Sequence, residues 1–548
     1  MGYPTRVQLI KRKASEQWYI NFPSAVAQAM EFKRSELVEW IIEDKSQLVL
    51  KRTEVPPLRL KKKTAGLLNC FQELWEQGED AFGQDRVAGR AKRLALSSLV
   101  CLGRRTVTGL VCASGHQFGD WSADYRLFAR ERFDASELFG VARREVLDRL
   151  PRQAPLVAAM DDSILLKRGL KTAGVAWRRD PLGPPFHTNF VLGQRFLQLS
   201  AALPGGAGTG PAPARMIPID LRHAPTAKKP RKNAPAVEWQ RYRIAQEEAN
   251  ISAVGVGCLA DLRESLDSDP GGIERPLWAV VDGRFTNAAV LKNLPDRTWI
   301  IGRIRKDTKL YLPPEEAVRT GRGRRPVYGK QIPTPEGIRK DESIPWQTVE
   351  VFAAGKKHDL GIKTMAPVKW RSAGGEHNLR LIIIAPLAYR PRKGSRLLYR
   401  KPAYLICTDP NIPIAGALQS YVWRWDIEVN FRDEKTLLGV GQAQVRNQAS
   451  VEKVPQLITA AYAFLLLAAA KTFGPAGIPG ALPLPKWRRD HKPQRASTQS
   501  LISHLRGELW GKAMGLDNFS GFRYKRQADT KCEKSLPELT SAVLYAAA

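Results

Sequence analysis

The chain has 548 residues, of which 43% are apolar, so it can build several cores at about 100–200 residues per domain. Its net charge of +32 is self-repelling unless a polyanion compensates it, which makes nucleic acid the leading partner. An aromatic content of 8%, with no glycine or heptad period, excludes collagen-like, coiled-coil and wholly disordered chains.

The first 55 residues predict a small β-rich unit. Alternating apolar and polar residues in RVQLIK and QWYINF predict two strands, FPSAVAQAMEF predicts a short helix, and LVEWIIED and LVLKR predict two more strands. This order resembles the AbrB-like swapped-hairpin fold, which implies a dimeric DNA-binding domain over residues 1–55. A generic small β domain is the alternative.

Residues 56–150 predict a helical domain, because apolar residues recur every three or four positions in segments such as CFQELWEQ and ASELFGVARREVLDRL. The arginines in GRRTVTGLVCASG and DWSADYRLFARERF favour DNA binding by this domain. A plain helical domain is equally compatible with the composition.

Residues 151–299 alternate between strand-like and helix-like segments, which predicts an α/β domain. Four strands are predicted at PLVAAMDDS, FVLGQRFLQLSAAL, ARMIPIDLRH and PLWAVVDG, and one long helix from VEWQRYR to CLADLRE. Residues 300–415 become β-like and rich in Gly/Arg loops, so they predict a β-rich insertion.

The last part of the chain contains one long apolar run, LITAAYAFLLLAAA at residues 457–470. It is shorter than the roughly 20 residues that cross a bilayer and predicts a buried core helix that starts near Pro455, with no membrane contact. Residues 476–548 predict a basic linker followed by a C-terminal helix.

The cysteines and the N-terminus predict a protein of a reducing, cytoplasmic compartment. The six cysteines form no CxxC pair, and MGYPTRVQLIKRK lacks the apolar core of a signal peptide. Zinc-ligand spacings and a Walker motif are absent from the sequence, so neither zinc nor a nucleotide cofactor is expected.

Acidic residues lie at the ends of two predicted strands. Asp161 and Asp162 occur in MDDS, Asp282 occurs in VVDG, and Glu428 lies further along the chain. Carboxylates that converge at one sheet edge can hold two Mg²⁺ ions about 4 Å apart. A single Asp after a strand is weak evidence, because Asp is also common in turns.

Four polar residues, Tyr421, Arg424, Glu428 and Lys435, are spaced to lie within about 60° of one another on a single helix. A solvated charged face with i,i+4 pairs is the ordinary explanation for such a mixture. The remaining surface of this helix is nevertheless apolar, with Trp423, Trp425, Ile427 and Phe431. The helix is therefore predicted to be packed, with one polar stripe.

The spacing Y-x2-R-x3-E-x6-K resembles the signature of the insertion-sequence-four superfamily of DDE transposases. The resemblance implies an α/β RNase H-like catalytic core in two parts, residues 151–299 and residues 416–475 with the Glu helix, interrupted by the β-rich insertion at 300–415. It implies that Asp162, Asp282 and Glu428 are the catalytic, metal-binding triad. Because Ser163 follows Asp162, Asp162 is favoured as the first ligand, and Asp161 is the alternative.

The resemblance also implies DNA-binding roles. Tyr421, Arg424 and Lys435 would hold the strand near the cleaved phosphate. The family flips a base beside the cut and stacks it on an aromatic residue of the insertion, for which Trp346 and Trp370 are candidates. For either tryptophan a core or surface position is the alternative.

The function predicted on these grounds is cut-and-paste DNA transposition. The enzyme would use two Mg²⁺ ions, which Mn²⁺ could replace, to cleave transposon ends in double-stranded DNA and join them to a target. It would act as a homodimer or a higher synaptic complex, in the bacterial cytoplasm and associated with the nucleoid. The alternatives are a DNA-binding regulator derived from a transposase, and a metal-dependent endonuclease without strand transfer; the intact triad and stripe argue against the regulator.

Overall fold

The computed structural model forms two compact units, Met1–Thr64 and Ala65–Ala548. The residues that the structure describes are 7–12, 15–20, 38–42, 48–52, 66–180, 183–184, 186–206, 208–314, 326–390, 394–474, 495–511, 513–514 and 539–546. The finer domain division of the second unit remains a prediction from the sequence.

The first unit contains the four predicted strands, β1 (Val7–Arg12), β2 (Ser15–Ile20), β3 (Val38–Ile42) and β4 (Leu48–Arg52). Strand β1 pairs antiparallel with β2, and β3 pairs antiparallel with β4, so two hairpins result. The predicted helix between them lies outside the described residues.

The second unit starts with the predicted helical region. Its helices are α1 (Leu67–Glu76), α2 (Asp85–Val100), α3 (Val107–Ala113), α4 (Ser122–Ala129) and α5 (Ala135–Leu147), with 3₁₀ turns at Glu79–Ala81 and His116–Phe118. The apolar spacing explains the packing, since Leu67, Phe71, Leu74 and Trp75 of α1 are all fully buried. The prediction of helices in this region is confirmed.

Twelve further strands follow in chain order. They are β5 (Leu156–Leu166), β6 (Ala176–Arg179), β7 (Phe190–Pro204), β8 (Ala214–His223), β9 (Leu277–Val281), β10 (Thr298–Arg303), β11 (Gln347–Ala353), β12 (Lys356–Val368), β13 (Leu379–Ile384), β14 (Ala388–Tyr389), β15 (Leu398–Tyr399) and β16 (Ala403–Cys407). All four strands predicted in residues 151–299 are present as β5, β7, β8 and β9.

Ten of these strands form one mixed sheet in the order β11–β12–β13–β16–β10–β9–β5–β7–β6, with β8 also paired to β7. Strands β5, β9 and β10 are parallel neighbours at the centre, whereas β7 is antiparallel to β5 and β8 is antiparallel to β7. The predicted β-rich insertion contributes β11, β12, β13 and β16, which extend this sheet from its β10 side.

The remaining helices are α6 (Ala236–Glu248), α7 (Ile251–Ser268), α8 (Ala288–Leu291), α9 (Pro335–Lys340), α10 (Ile414–Trp423), α11 (Trp425–Thr436), α12 (Gln448–Phe473), α13 (Thr498–Trp510) and α14 (Leu539–Leu544). The single long helix predicted from VEWQRYR to CLADLRE is wrong. Asn250 has an extended backbone, and its side chain accepts a hydrogen bond from the Ser252 amide, so it ends one helix and caps the next.

The predicted core helix is confirmed in α12 and is longer than expected. It begins at Gln448, capped by the Asn447 side chain, so Pro455 lies inside the helix rather than at its start. Helix α12 is long and apolar enough to cross a membrane by length and composition, but 83% of its most apolar window is buried inside the protein. It packs between the N-terminal helices and β8, which explains its apolar surface.

Candidate active site

Two adjacent parallel strands bring Asp161 and Asp282 together. Met160 on β5 is in register with Val281, the last residue of β9. Asp161 is the residue after Met160, and Asp282 is the residue after Val281. Side chains two residues apart on a strand lie on the same face, so Asp161 shares a face with Ala159 and Asp282 shares a face with Val280. Ala159 and Val280 belong to the apolar cluster under helices α10 and α11. Asp161 and Asp282 therefore face the helices that carry the predicted polar stripe.

The polar stripe lies on two helices instead of one. Arg424 separates α10 from α11, but its backbone stays helical at φ −48° and ψ −36°, so the register of the stripe is preserved. Ile427 and Phe431 are buried beneath α11, which confirms that the stripe is on a packed helix. Glu428 and Tyr421 are partly exposed, and Lys435 is exposed with its ammonium 6.0 Å from the centre of the Phe431 ring.

Arg424 connects the polar stripe to strand β5. Its side chain is only 11% exposed, and its Nη1 lies 3.5 Å from Asp161 Oδ2 while its Nη2 donates to Glu428 Oε1 at 3.2 Å. The guanidinium also lies over the Tyr421 ring, 5.7 Å from the centroid. One guanidinium thus links Asp161 to Glu428, although β5 and α11 are far apart in sequence.

Asp162 lies on the other face of the strand. Asp162 lies on the same face of β5 as Ala158 and Met160, because side chains alternate along a strand. Ala158 and Met160 pack in the core on the side opposite α10 and α11. Both of its carboxylate oxygens accept from Arg284 Nη1, at 2.7 and 2.9 Å. The structure therefore brings Asp161, and not Asp162, to the side of Asp282 that faces Glu428.

Burial and the nearby charge of Asp282 raise the pKa of Asp161 to about 7. The Asp162 amide, which donates to Asp161 Oδ1 at 2.8 Å, and the Arg424 charge oppose this shift. Two half-buried carboxylates that repel each other are well suited to a divalent cation, which would remove the repulsion.

The donor set fits a hard divalent cation, since all three proposed ligands are carboxylates. Within the described ranges, no three His, Cys, Asp or Glu side chains lie close enough together to hold a metal ion. Arg424 explains the gap, because its guanidinium lies between Asp161 and Glu428. The aspartate pair would supply two ligands, and Glu428, on the other side of the Arg424 guanidinium, is the third carboxylate of the candidate set.

The two candidate tryptophans have different surroundings. Trp370 lines a cavity of about 760 Å³ whose lining also includes Gly283, directly after Asp282, and the cations Arg303 and Lys401. Trp346 is 42% exposed, and the Lys363 ammonium lies 4.6 Å from its ring centroid. Trp370, and not Trp346, lines this cavity, which lies next to Asp282 in the chain.

Sequence reasoning missed two groups around the site. Arg284 pairs with Asp162 and follows Asp282 by two residues in VVDGRF. Its closeness to Asp282 in the sequence is the signal that could have indicated a position near the carboxylates. Glu434 is 4% exposed, and burial raises its pKa to about 8, yet in the sequence it belongs to the run DEK, which is typical of a solvated segment. No signal in the sequence distinguishes Glu434.

The raised pKa of Asp161 leads to a stability prediction for the metal-free protein. An unfolded Asp ionises near pH 4, whereas Asp161 stays protonated up to about pH 7 when folded, so stability is lost as pH rises through this window. We expect Asp161→Asn to melt at the same temperature as the parent below about pH 4 and at a higher temperature above about pH 7. Thermal unfolding in chelator across this range measures the difference, and an equal difference at all pH values would contradict it.

The comparisons with known proteins agree with this geometry. The sequence model of a family described as DDE superfamily endonuclease matches residues 79–374, more than half of the chain. The match includes Asp161, Asp162 and Asp282 and ends before Glu428. No curated protein matches the chain. With paired aspartates on the central parallel strands and this family match over most of the sheet, the chain belongs to the DDE superfamily endonucleases.

Proposed function

We propose that the protein is a DNA transposase of the insertion-sequence-four superfamily, which cleaves transposon ends and joins them to target DNA. The observation that carries the proposal is the contact between strand β5 and the polar stripe. Arg424 contacts both Asp161 and Glu428, and Asp282 lies beside Asp161 on the neighbouring strand.

The sheet topology supports an RNase H-like core. Strands β8, β7, β5, β9 and β10 are adjacent in that order, with the last three parallel and β7 antiparallel to β5. The β-rich insertion enters after β10 and returns through β16 before the helix that carries Glu428. This is the order of elements that the resemblance implies.

Asp161, Asp282 and Glu428 would hold two Mg²⁺ ions, for which Mn²⁺ could substitute. Asp162 remains the alternative first ligand, and the orientation of Asp161 towards α11 supports Asp161. When bound, the ions would activate a water or a 3′-hydroxyl and stabilise the leaving oxygen.

The remaining stripe residues would bind the DNA strand. Arg424 can present two parallel donors to a phosphate, with the Tyr421 ring supporting its guanidinium. Lys435 is exposed and would contact a phosphate further along the strand. The basic cavity supports Trp370 as the residue that stacks a flipped base.

The test of this function is a strand-transfer assay with the two ends of the protein's own element. We expect Mg²⁺-dependent nicking at the element boundary and, with a pre-cut end, covalent joining to a target plasmid. Cleavage without joining would leave the endonuclease alternative. If neither reaction occurs although the protein binds DNA, the transposase proposal fails.

The first unit supports the AbrB-like proposal through its exposed apolar side chains. Val7, Ile10, Ile20 and Val49 on its four strands are each 39–58% exposed. Apolar faces of this kind need a partner, and a second copy of the two hairpins would supply it. The full protein would accordingly act in the bacterial cytoplasm as a homodimer or a higher synaptic complex.

We expect a fragment of residues 1–55 to sediment as a dimer and to bind duplex DNA with a steep salt dependence, because an interlocked pair would bury these faces. Analytical ultracentrifugation and titrations at several salt concentrations measure both properties. Replacing Ile10 with Lys is the matched variant and should shift the fragment towards monomer. A folded monomeric fragment would contradict the AbrB-like assignment.

A further inference from the structure

Helix α6 (Ala236–Glu248) buries none of its residues. Val237 and Ile244 are 57% and 52% exposed, and its 13 residues are near the length at which an isolated helix is only marginally stable in water. Asn250 ends α6 and starts the buried helix α7, so α6 is not an extension of a core element. The helix therefore has an unpartnered surface.

The loop before α6 carries a concentrated positive charge, to which the first two turns of the helix add Arg241 and Arg243; Glu247 and Glu248 lie in its last turn. Residues 228–243 contain six basic residues and one acidic residue, Glu238; the basic residues are Lys228, Lys229, Arg231, Lys232, Arg241 and Arg243. In the part of the chain that the structure describes, none of these six cations has an ion pair. Nearby Arg222, in contrast, pairs with Asp220 and Asp261 at 2.6 and 2.5 Å.

The charge lines a concave surface. The loop and one face of α6 border an open cavity of about 1070 Å³, with Arg231, Lys232, Arg241 and Tyr242 in its lining. Lys229 also lines this cavity, and its ammonium lies 5.7 Å from the centre of the Trp239 ring, a contact that joins the loop to the helix. The cations are therefore presented on a defined surface.

We propose that this surface, residues 228–243, binds the phosphate backbone of duplex DNA; we call it the basic arm. The proposal rests on the proposed function for its DNA substrate and adds a binding surface separate from the carboxylate site. Unpaired lysines and arginines on an exposed helix are the groups that contact phosphates. A second copy of a chain with net charge +32 would be repelled by the same residues.

The experiment compares the full-length parent with the triple variant Arg231→Ala, Lys232→Ala, Arg241→Ala. The control is Arg152→Ala, Lys356→Ala, Arg371→Ala, which removes three exposed cations that have no ion pair within the described residues. Binding to a random-sequence duplex of about 30 base pairs is measured in chelator at several salt concentrations. Because no cleavage is measured, the result is independent of the catalytic proposal.

We expect the basic-arm variant to bind at least about tenfold more weakly near 0.1 M salt, and its log–log salt slope to fall by up to about 0.9 for each phosphate that the protein no longer neutralises. The control should keep the parental slope to within about 0.9, the value of a single phosphate. Equal weakening in both variants would overturn the basic arm and indicate bulk charge. An unchanged DNA affinity with a changed sedimentation mass would also overturn it and indicate a protein interface, whereas a parent that binds no DNA would count against the proposed function itself.

Discussion

The Asp282→Ala protein is expected to lose DNA cleavage and to keep nearly all of its affinity for DNA. Removing this carboxylate leaves Asp161 without its partner on the neighbouring strand, so the metal ions lose a ligand while the basic surface is unchanged. We expect the single-turnover rate to fall at least about a thousandfold, equivalent to about 4 kcal/mol of transition-state stabilisation. Glu428→Ala should behave in the same way.

The control variant is Asp261→Ala, which removes an exposed carboxylate of α7 that pairs with Arg222. It should cleave at the parental rate. DNA affinity is measured for every variant on the same labelled duplex, which separates a binding defect from a chemical one. If Asp282→Ala and Glu428→Ala both cleave at close to the parental rate, the triad assignment is wrong.

The same assay decides between Asp161 and Asp162. Asp161→Ala should abolish cleavage as Asp282→Ala does, because Asp161 faces α11 and contacts Arg424. Asp162→Ala releases Arg284 on the opposite face and should reduce cleavage much less. If Asp162→Ala abolishes cleavage and Asp161→Ala does not, Asp162 is the first ligand, as the resemblance implies from Ser163.

The central strands and the polar stripe could be predicted from the sequence, because their signals are local. Apolar runs with a carboxylate at the end predicted β5 and β9, and the spacing from Tyr421 to Lys435 predicted one helix face. The interruption at Arg424 does not disturb this spacing, since its dihedral angles stay helical. A three- or four-residue period is therefore sufficient to predict the stripe.

The choice between Asp161 and Asp162 could not be made from the sequence, because adjacent residues on a strand face opposite sides. The decision depends on which side of β5 packs against α11, and that is set by interactions with residues more than 200 positions away. The pairing of Asp162 with Arg284 is likewise a long-range interaction. Long-range packing, rather than local propensity, determines which side of β5 each of these two aspartates faces.

Arg424→Lys tests whether the stripe positions DNA. Lysine keeps the charge but has no planar pair of donors, so it cannot hold a phosphate in the bidentate geometry available to Arg424. The residue is 11% exposed and lies against the Tyr421 ring, so its position is set by packing as well as by charge. We expect cleavage to slow at least about tenfold, about 1.4 kcal/mol of transition-state stabilisation, with little change in DNA affinity.

Arg432→Lys is the matched control for this substitution. Arg432 lies on α11, eight residues after Arg424, is 65% exposed and pairs with Asp433, so its replacement removes a guanidinium from this helix without changing the stripe. We expect this variant to cleave at the parental rate. If Arg424→Lys also stays within about twofold of the parent in single-turnover cleavage, the guanidinium serves only to pair with Asp161 and Glu428, and the DNA-positioning role of Tyr421 and Lys435 has to be withdrawn with it.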